Sequence, residues 1–480
     1  MVKRKTAPKA ATQEAPVAAR QMMQQKKMRH RVSWIIGIML AVMIVGLVVA
    51  FLYDRAIDGG ASLRRQTAMQ SEHFKIDGCM MRYCFSRYYA NLQSSYGDAF
   101  QEKTGIDPEK PLRSQTVNGT SAVDILLSGL QSELQQTLLL AEGAYAAGIF
   151  VPEESKTTIA TMAQAATGLP QGVRAEDVSN VMQLNYMAQR YAETVQYPTF
   201  SDEQIETYAT SDLRSGAYMA DIYAYAFFYT AGNAQSVANA KALAQELAAV
   251  PQEKTFREHL ITMIEKVNGV ASTAAAAQAD TALFTGVTDD GASLGEWLFT
   301  PERAAKDTVW MEDQANSAFR VYAVQKAPYL PQDATVTLHE IVFPLSVFRT
   351  EQICLEKAQA LQKTYQADPG YENFLALAQQ NNFSGAEADG LRSDVPRASL
   401  WEQTAAFAFA AERQPGDTAI LQNDEAGVSL VYYIGAGKPY YFALARQAMQ
   451  NESYAQTITA LAQAYPISSD AAVLAAAAAQ

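Results

Sequence analysis

Twenty consecutive residues without a formal charge, Trp34 to Tyr53 (WIIGIMLAVMIVGLVVAFLY), constrain this chain more than any other stretch. As a helix they extend about 30 Å, the thickness of a bilayer's hydrocarbon core. Trp34 at one edge and Phe51 with Tyr53 at the other suit the two headgroup layers, and Gly37 and Gly46 are tolerated in lipid. Residues 1–32 carry nine Lys and Arg against Glu14 alone, a net of +8. This asymmetry predicts one transmembrane helix over 33–53, the N-terminus in the cytoplasm and the bulk of the chain across the membrane.

Two alternatives stay open. Val48-Val49-Ala50 loosely fits a small-x-small cleavage site, although a signal-peptide core normally has only about 7 to 15 apolar residues. A helix buried in a soluble core is the other, and the basic flank argues against it. A lipoprotein anchor would need a cysteine directly after the run, and the first is Cys79. The tail 1–32 is expected to be disordered, since it has almost no large aliphatic residues. Residues 54–72 read as a polar stalk.

The chain's net charge of −12 and the tail's +8 leave −20 on residues 33–480. So acidic a body has no basic footprint, and no nucleic-acid partner is expected. It is too long for a single core, so several domains are expected. Cys79, Cys84 and Cys354 make no disulfide framework, and unpaired buried thiols are expected. The four histidines, His30, His73, His259 and His339, share no metal-ligand spacing, so neither a metal site nor a cofactor is expected.

Along the body, 73–210 reads as a helical domain. Residues 73–78 suggest a short strand and Cys79–Leu92 a helix. Val123, Leu127, Leu130, Leu134, Leu138, Ala141 and Tyr145 draw one apolar stripe on a helix over 121–147, with Ser121 to cap its start and Gly148 its end. A further helix is predicted near 175–195, and Ser201 with Gln204 forms a capping box for a short one to about Thr210. From 217 to 229 the pattern changes to period two, with Tyr223, Tyr225, Phe227 and Tyr229 on one side, the signature of a strand buried on both faces. Residues 271–282 are Ala-rich and read as loop or frayed helix.

An internal repeat follows. FTPERAAKDT (299–308) matches FAAERQPGDT (409–418) without a gap at an offset of 110, with five identities in ten positions. Ahead of each lie an aromatic strand and Ala-rich helices, and a strand ends each unit, so two copies of one module are predicted, over 211–330 and 331–437. Glu302-Arg303 and Glu412-Arg413 could recognise a ligand or simply hold the turns before Asp307 and Asp417.

The second copy carries VTLHEIVF (336–343), FLALA (374–378), AAF (405–407), PGD (415–417) and GVSLVYY (427–433). In this order the segments resemble the parvulin-type peptidyl-prolyl isomerase pattern. GIFVPEE (148–154) in the helical domain is similar to a signature of the SurA/PrsA/PpiD family of chaperone-foldases, and the C-terminal segment 438–480 looks like the one that returns to that domain. The resemblance implies an α+β fold: an N-terminal transmembrane helix, a helical SurA-N-like chaperone domain, two degenerate parvulin-like α/β modules and a returning C-terminal helix.

An isomerase must ease rotation over a barrier of about 18–20 kcal/mol by holding proline in an apolar pocket beside placed polar groups. By the resemblance, the family's first histidine falls on Glu340, with His339 displaced to the opposite face of the strand, and the second falls on Ser429. In the first module the same positions are read as Tyr225 and Phe319. With no histidine pair, catalytic residues are not assigned. The candidates for binding client chains are Tyr223, Tyr225, Phe227, Tyr229, Phe343 and Phe407. The expected function is a membrane-tethered extracytoplasmic chaperone that binds unfolded or newly secreted polypeptides, with the translocon a further candidate partner. An active prolyl isomerase and a structural adaptor of an envelope complex are the alternatives.

Overall fold

In the computed structural model the described residues are 60–381, 390–423 and 426–478. The expected membrane span, the basic tail and the first residues of the stalk lie outside them. No helix among the described residues is long and apolar enough to cross a membrane. The architecture mixes helices with four small antiparallel sheets. The chain divides into two units, residues 1–195 with 456–480 and residues 196–455.

The first unit opens with α1 (Ala61–Arg64), β1 (Thr67–Gln70), β2 (Lys75–Asp77), α2 (Gly78–Tyr96) and α3 (Phe100–Thr104). A two-stranded ribbon, β3 (Thr116–Val117) and β4 (Thr120–Ser121), leads into α4 (Ala122–Ala146), followed by α5 (Glu153–Ala165) and α6 (Ala175–Val195). Leu127, Leu130, Leu134, Leu138 and Ala141 of the α4 stripe are buried against Met80, Met81 and Phe85 of α2 and Val181 and Leu184 of α6. Ser121 stands at the N-cap position without a side-chain capping bond. The start of α4 is tied instead by Ala122 N–H to Gln115 O at 3.0 Å.

Residues 60–72 are not a stalk. Ala68 and Met69 are fully buried, and Arg64 Nε and Nη2 donate to the two Asp177 carboxylate oxygens at 2.8 and 2.7 Å. The segment looked polar because its buried residues are few, but those few complete the core beneath α2.

The second unit begins with α7 (Asp202–Ser211), whose Ser201–Gln204 capping box is formed. This helix belongs here and not with the helical domain, because Ile205 and Ala209 pack on Tyr441, Phe442 and Ala445. The first module then runs β5 (Met219–Phe228), α8 (Ala234–Ala248), α9 (Phe256–Asn268), α10 (Ser272–Thr281), β6 (Leu283–Val287), α11 (Ser293–Leu298), β7 (Thr308–Asp313) and β8 (Ala318–Tyr329). The Ala-rich stretch is a helix, α10, because Ala275 and Ala279 are fully buried and only small side chains fit there.

The second module runs β9 (Thr335–Pro344), α12 (Leu345–Phe348), α13 (Glu351–Ala367), α14 (Tyr371–Asn381), β10 (Leu391–Pro396), α15 (Glu402–Ala408), β11 (Thr418–Asn423) and β12 (Gly427–Ala436). The two sheets have the same strand order, β6-β5-β8-β7 and β10-β9-β12-β11. The repeated motif makes the same turn twice. Arg303 and Arg413 pair with Asp307 and Asp417 at 3.2 and 2.9 Å, and those carboxylates accept from Ala304 N–H and Gln414 N–H, both at 3.0 Å. Each arginine also lies over an aromatic ring, Trp297 and Phe407 respectively. Glu302 and Glu412 make no ion pair among the described residues, so the turn is held by Arg and Asp.

Helix α16 (Tyr440–Ala464) starts in the second unit and ends in the first. Beyond it β13 (Ser468–Ser469) pairs with β1, and α17 (Ala471–Ala477) buries Val473, Leu474 and Ala477 in the first unit's core. The Ala-rich C-terminal segment is therefore a packed part of that unit, not a loose tail.

Gly427 begins β12 opposite Pro344 with φ 126°. A Cβ there would lie 2.2 Å from the Phe343 carbonyl oxygen, a contact the backbone can relieve only by moving. Gly427→Ala is expected to cost about 2 kcal/mol of the second unit's stability in urea denaturation; an unchanged midpoint would contradict the register.

Candidate functional site

The four-stranded sheet of the second module places the residues singled out above. Glu340 lies opposite Val431 and Val342 opposite Ser429, so Glu340 and Ser429 are diagonal neighbours on one face. That face carries Val336, Leu338, Val431 and Tyr433 beneath α15. Glu340 and Ser429 are both buried. Arg392 Nη1 donates to Glu340 Oε2 at 3.2 Å and its Nη2 to Ser399 O at 3.0 Å. The other carboxylate oxygen of Glu340, and the hydroxyl of Thr404 on α15, are buried without a hydrogen-bond partner among the described residues.

His339 points to the opposite face. Its ring packs 5.7 Å from Tyr371 and 5.9 Å from Phe374, and it is fully buried. Here the apolar residues Ile341, Phe343, Val428 and Leu430 meet Cys354, Ala358, Tyr365 and Phe374 of α13 and α14. Among the described residues no imidazole reaches the Glu340 face. The arrangement there offers a carboxylate held by a guanidinium and two hydroxyls, which can accept and donate hydrogen bonds but includes no histidine base.

In the first module, Ala224 N–H donates to Ala282 O at 2.8 Å, as Glu340 N–H does to Gly390 O at 2.9 Å. Ala224 is thus the counterpart of Glu340. Across the sheet, Ala226 opposite Arg320 matches Val342 opposite Ser429. Tyr225 and Phe319, expected at these positions, lie on the other face and pack with α8 and α9. At Phe319 the slip has a simple cause. Lys306 and Gly416 donate to Val324 O and Tyr433 O, separations of 18 and 17 residues, so one extra residue enters the first module between the repeated turn and its last strand. The sequence offset of 110 fails by one at that strand, and one residue reverses the face.

The aromatic candidates divide. Tyr223, Phe227 and Phe343 are buried, covered by the helices that pack on that face, and are core residues, not a docking platform. Tyr225 and Tyr229 are half-buried, with Tyr229 Oη donating to Glu312 Oε1 at 3.2 Å. Phe407 is half-buried under the Arg413 guanidinium at 3.9 Å.

Two further features had no sequence signal beyond isolated polar residues. In the first unit, Glu142 is fully buried in α4. It accepts from Ser71 Oγ at 2.6 Å and His73 N–H at 2.7 Å, and its other oxygen meets His73 Nδ1 at 2.7 Å. Tyr145 stacks on the His73 ring with centroids 4.0 Å apart. Burial works against ionisation of Glu142, yet these hydrogen bonds outweigh it and hold the carboxyl below its ordinary range. In the first module a groove of about 810 Å³ runs along the outer edge of β5 between α8 and α10.

The three cysteines are free and buried. Burial pushes the Cys84 thiol up to about 12 and raises Cys79 and Cys354 as well, so none is poised as a nucleophile. Among the described residues no group of three His, Cys, Asp or Glu could hold a metal ion. Compared with known proteins, the chain matches no family model and no curated protein.

Proposed function

We propose that this chain is a membrane-tethered, extracytoplasmic chaperone of the SurA/PrsA/PpiD kind that binds unfolded, newly exported polypeptides without turning over prolyl bonds. The observation that carries the reading is a pair of sheets with one strand order and one turn chemistry but different residues at matched positions, Glu340 and Ser429 in one and Ala224 and Arg320 in the other. A duplicated scaffold whose two centres share no polar group suits binding better than one reaction performed twice. Tethering through residues 33–53 would hold the body where chains emerge and raise the effective client concentration, compensating for weak contacts.

The test is a refolding assay with the full chain in lipid vesicles. Proline-limited refolding of a model substrate should proceed at its spontaneous rate, while aggregation of a denatured client is suppressed. Accelerated refolding would instead assign isomerase activity to the Glu340 face. Failure to bind unfolded protein, with a single stoichiometric partner captured by crosslinking in cells, would replace the chaperone by an adaptor.

A further inference from the structure

We infer that the first module binds client chains by strand addition: an extended, uncharged polypeptide segment pairs with the open outer edge of β5 at Ala226 and Phe228. The inference rests on the chaperone reading above and names the site and the form of the client.

The edge is open because β6 is short. Its register with β5 covers Ala220, Ile222 and Tyr223, and the bond from Ala224 N–H to Ala282 O is the last on that side. Backbone groups alternate sides along a strand, so those of Ala226 and Phe228 face the groove, whereas Tyr225, Phe227 and Tyr229 bond toward β8. No strand pairs with this edge among the described residues. Two residues with outward N–H and C=O groups offer a partner of about four residues its ladder.

The groove's lining fits a neutral backbone. Gln235 with Asn239 on α8, and Asn268 with Gln278 across α9 and α10, form amide pairs at 2.8 and 3.3 Å along it. Its one charged lining residue, Arg320, is already paired with Asp313 at 2.7 Å. Amides donate and accept without preferring either sign of charge, and so match peptide groups. Phe228 and Phe284 are 70% and 51% exposed at the groove, a large apolar surface for client side chains.

An open edge flanked by phenylalanine is a hazard that proteins normally block with charge or proline. The second module does so at one of the two positions. Its counterpart of Phe228, by pairing with Gly427 as Phe228 pairs with Ala318, is Pro344, which has no N–H to offer. One copy loses a donor at this edge to proline, and the other keeps both donors beside a groove.

The test uses the full chain and a fluorescein-labelled, Lys-flanked peptide of alternating valine and threonine, alongside its fully N-methylated counterpart, which keeps the side chains but has no backbone donors. Binding of the ordinary peptide is expected, with the N-methylated one about fivefold weaker or worse, the loss of about one backbone hydrogen bond. Ala226→Pro removes an N–H that β8 does not use and should weaken the ordinary peptide comparably. If that variant misfolds by circular dichroism, the comparison of the two peptides on the unmodified chain decides. Equal binding of both peptides, while a reduced and carboxymethylated unfolded protein still binds, overturns strand addition and leaves the chaperone reading intact. Binding of neither peptides nor unfolded protein overturns both. A dimer of the full chain that Ala226→Pro dissolves would assign the edge to a second copy and overturn the inference.

Discussion

Glu142→Leu should lower the stability of the first unit by about 3 kcal/mol, because the leucine fills the space but accepts nothing from Ser71 Oγ and His73 N–H. The Ser71 hydroxyl, buried, and the His73 N–H, part-buried, would both remain without the acceptor that now holds them. Glu142→Gln keeps one acceptor oxygen and should lose about half as much. Hydrogen exchange over residues 122–146 in the full chain reads the effect on α4 directly. The pH dependence carries a sign. The carboxyl is held below its ordinary range, so its contribution is complete above the unfolded-state value of about 4.3 and fades as pH falls through the lower folded value. The difference between the unmodified chain and Glu142→Leu should therefore be constant near neutrality and shrink below about pH 4. A difference that grows in acid would mean that the carboxylate is not the stabilising form.

What could be read from sequence was whatever is written locally. The α4 stripe, the Ser201–Gln204 box and the bounds of α6 are local signals, and the structure has them. The repeat was legible because its turn needs Arg and Asp four residues apart beside an aromatic ring, which fixes the spelling of both copies. Matching the last strands across copies was not, since a single extra residue ahead of β8 leaves the turn intact and reverses every later side chain, and β5 could be matched to β9 only through its bond to Ala282. Tyr223 and Phe227 read both as residues of a buried strand and as candidates for binding client chains, because alternation specifies a face but not what covers it, and α8 and α9 cover that one.

Glu142 escaped for another reason: it meets residues 69 and 71 positions away, and nothing near it in the chain marks it as buried. Glu340 came with the resemblance, but its partner Arg392, 52 positions on, did not. The open β5 edge was equally hidden, because it depends on where β6 stops pairing, and β6 itself has too weak a pattern to be placed from residues alone.

In the second unit, Asp394→Ala should have the larger effect, about 3–5 kcal/mol. Asp394 sits in the bulge of β10 between Arg392 and Val395 with φ 53°, and is buried. Its carboxylate accepts from Lys438 N–H at 2.6 Å and pairs with Arg446 of α16, while its own N–H donates to Thr337 Oγ1 of β9 at 3.3 Å. Thr335 Oγ1 donates to Lys438 O, closing the latch from the other side. One side chain thus joins two strands of the sheet to the entry of α16. Alanine removes the counter-charge from Arg446 and also leaves a β-carbon in a left-handed conformation that asparagine and aspartate tolerate better. Asp394→Asn keeps an acceptor and the tolerated backbone, so it should cost roughly 1–2 kcal/mol. Urea denaturation of the full chain, followed by tryptophan fluorescence, would rank the variants, with alanine below asparagine. Equal losses would place the cost in the charge alone, and no loss in either would remove Asp394 as the point that fixes α16 to the sheet.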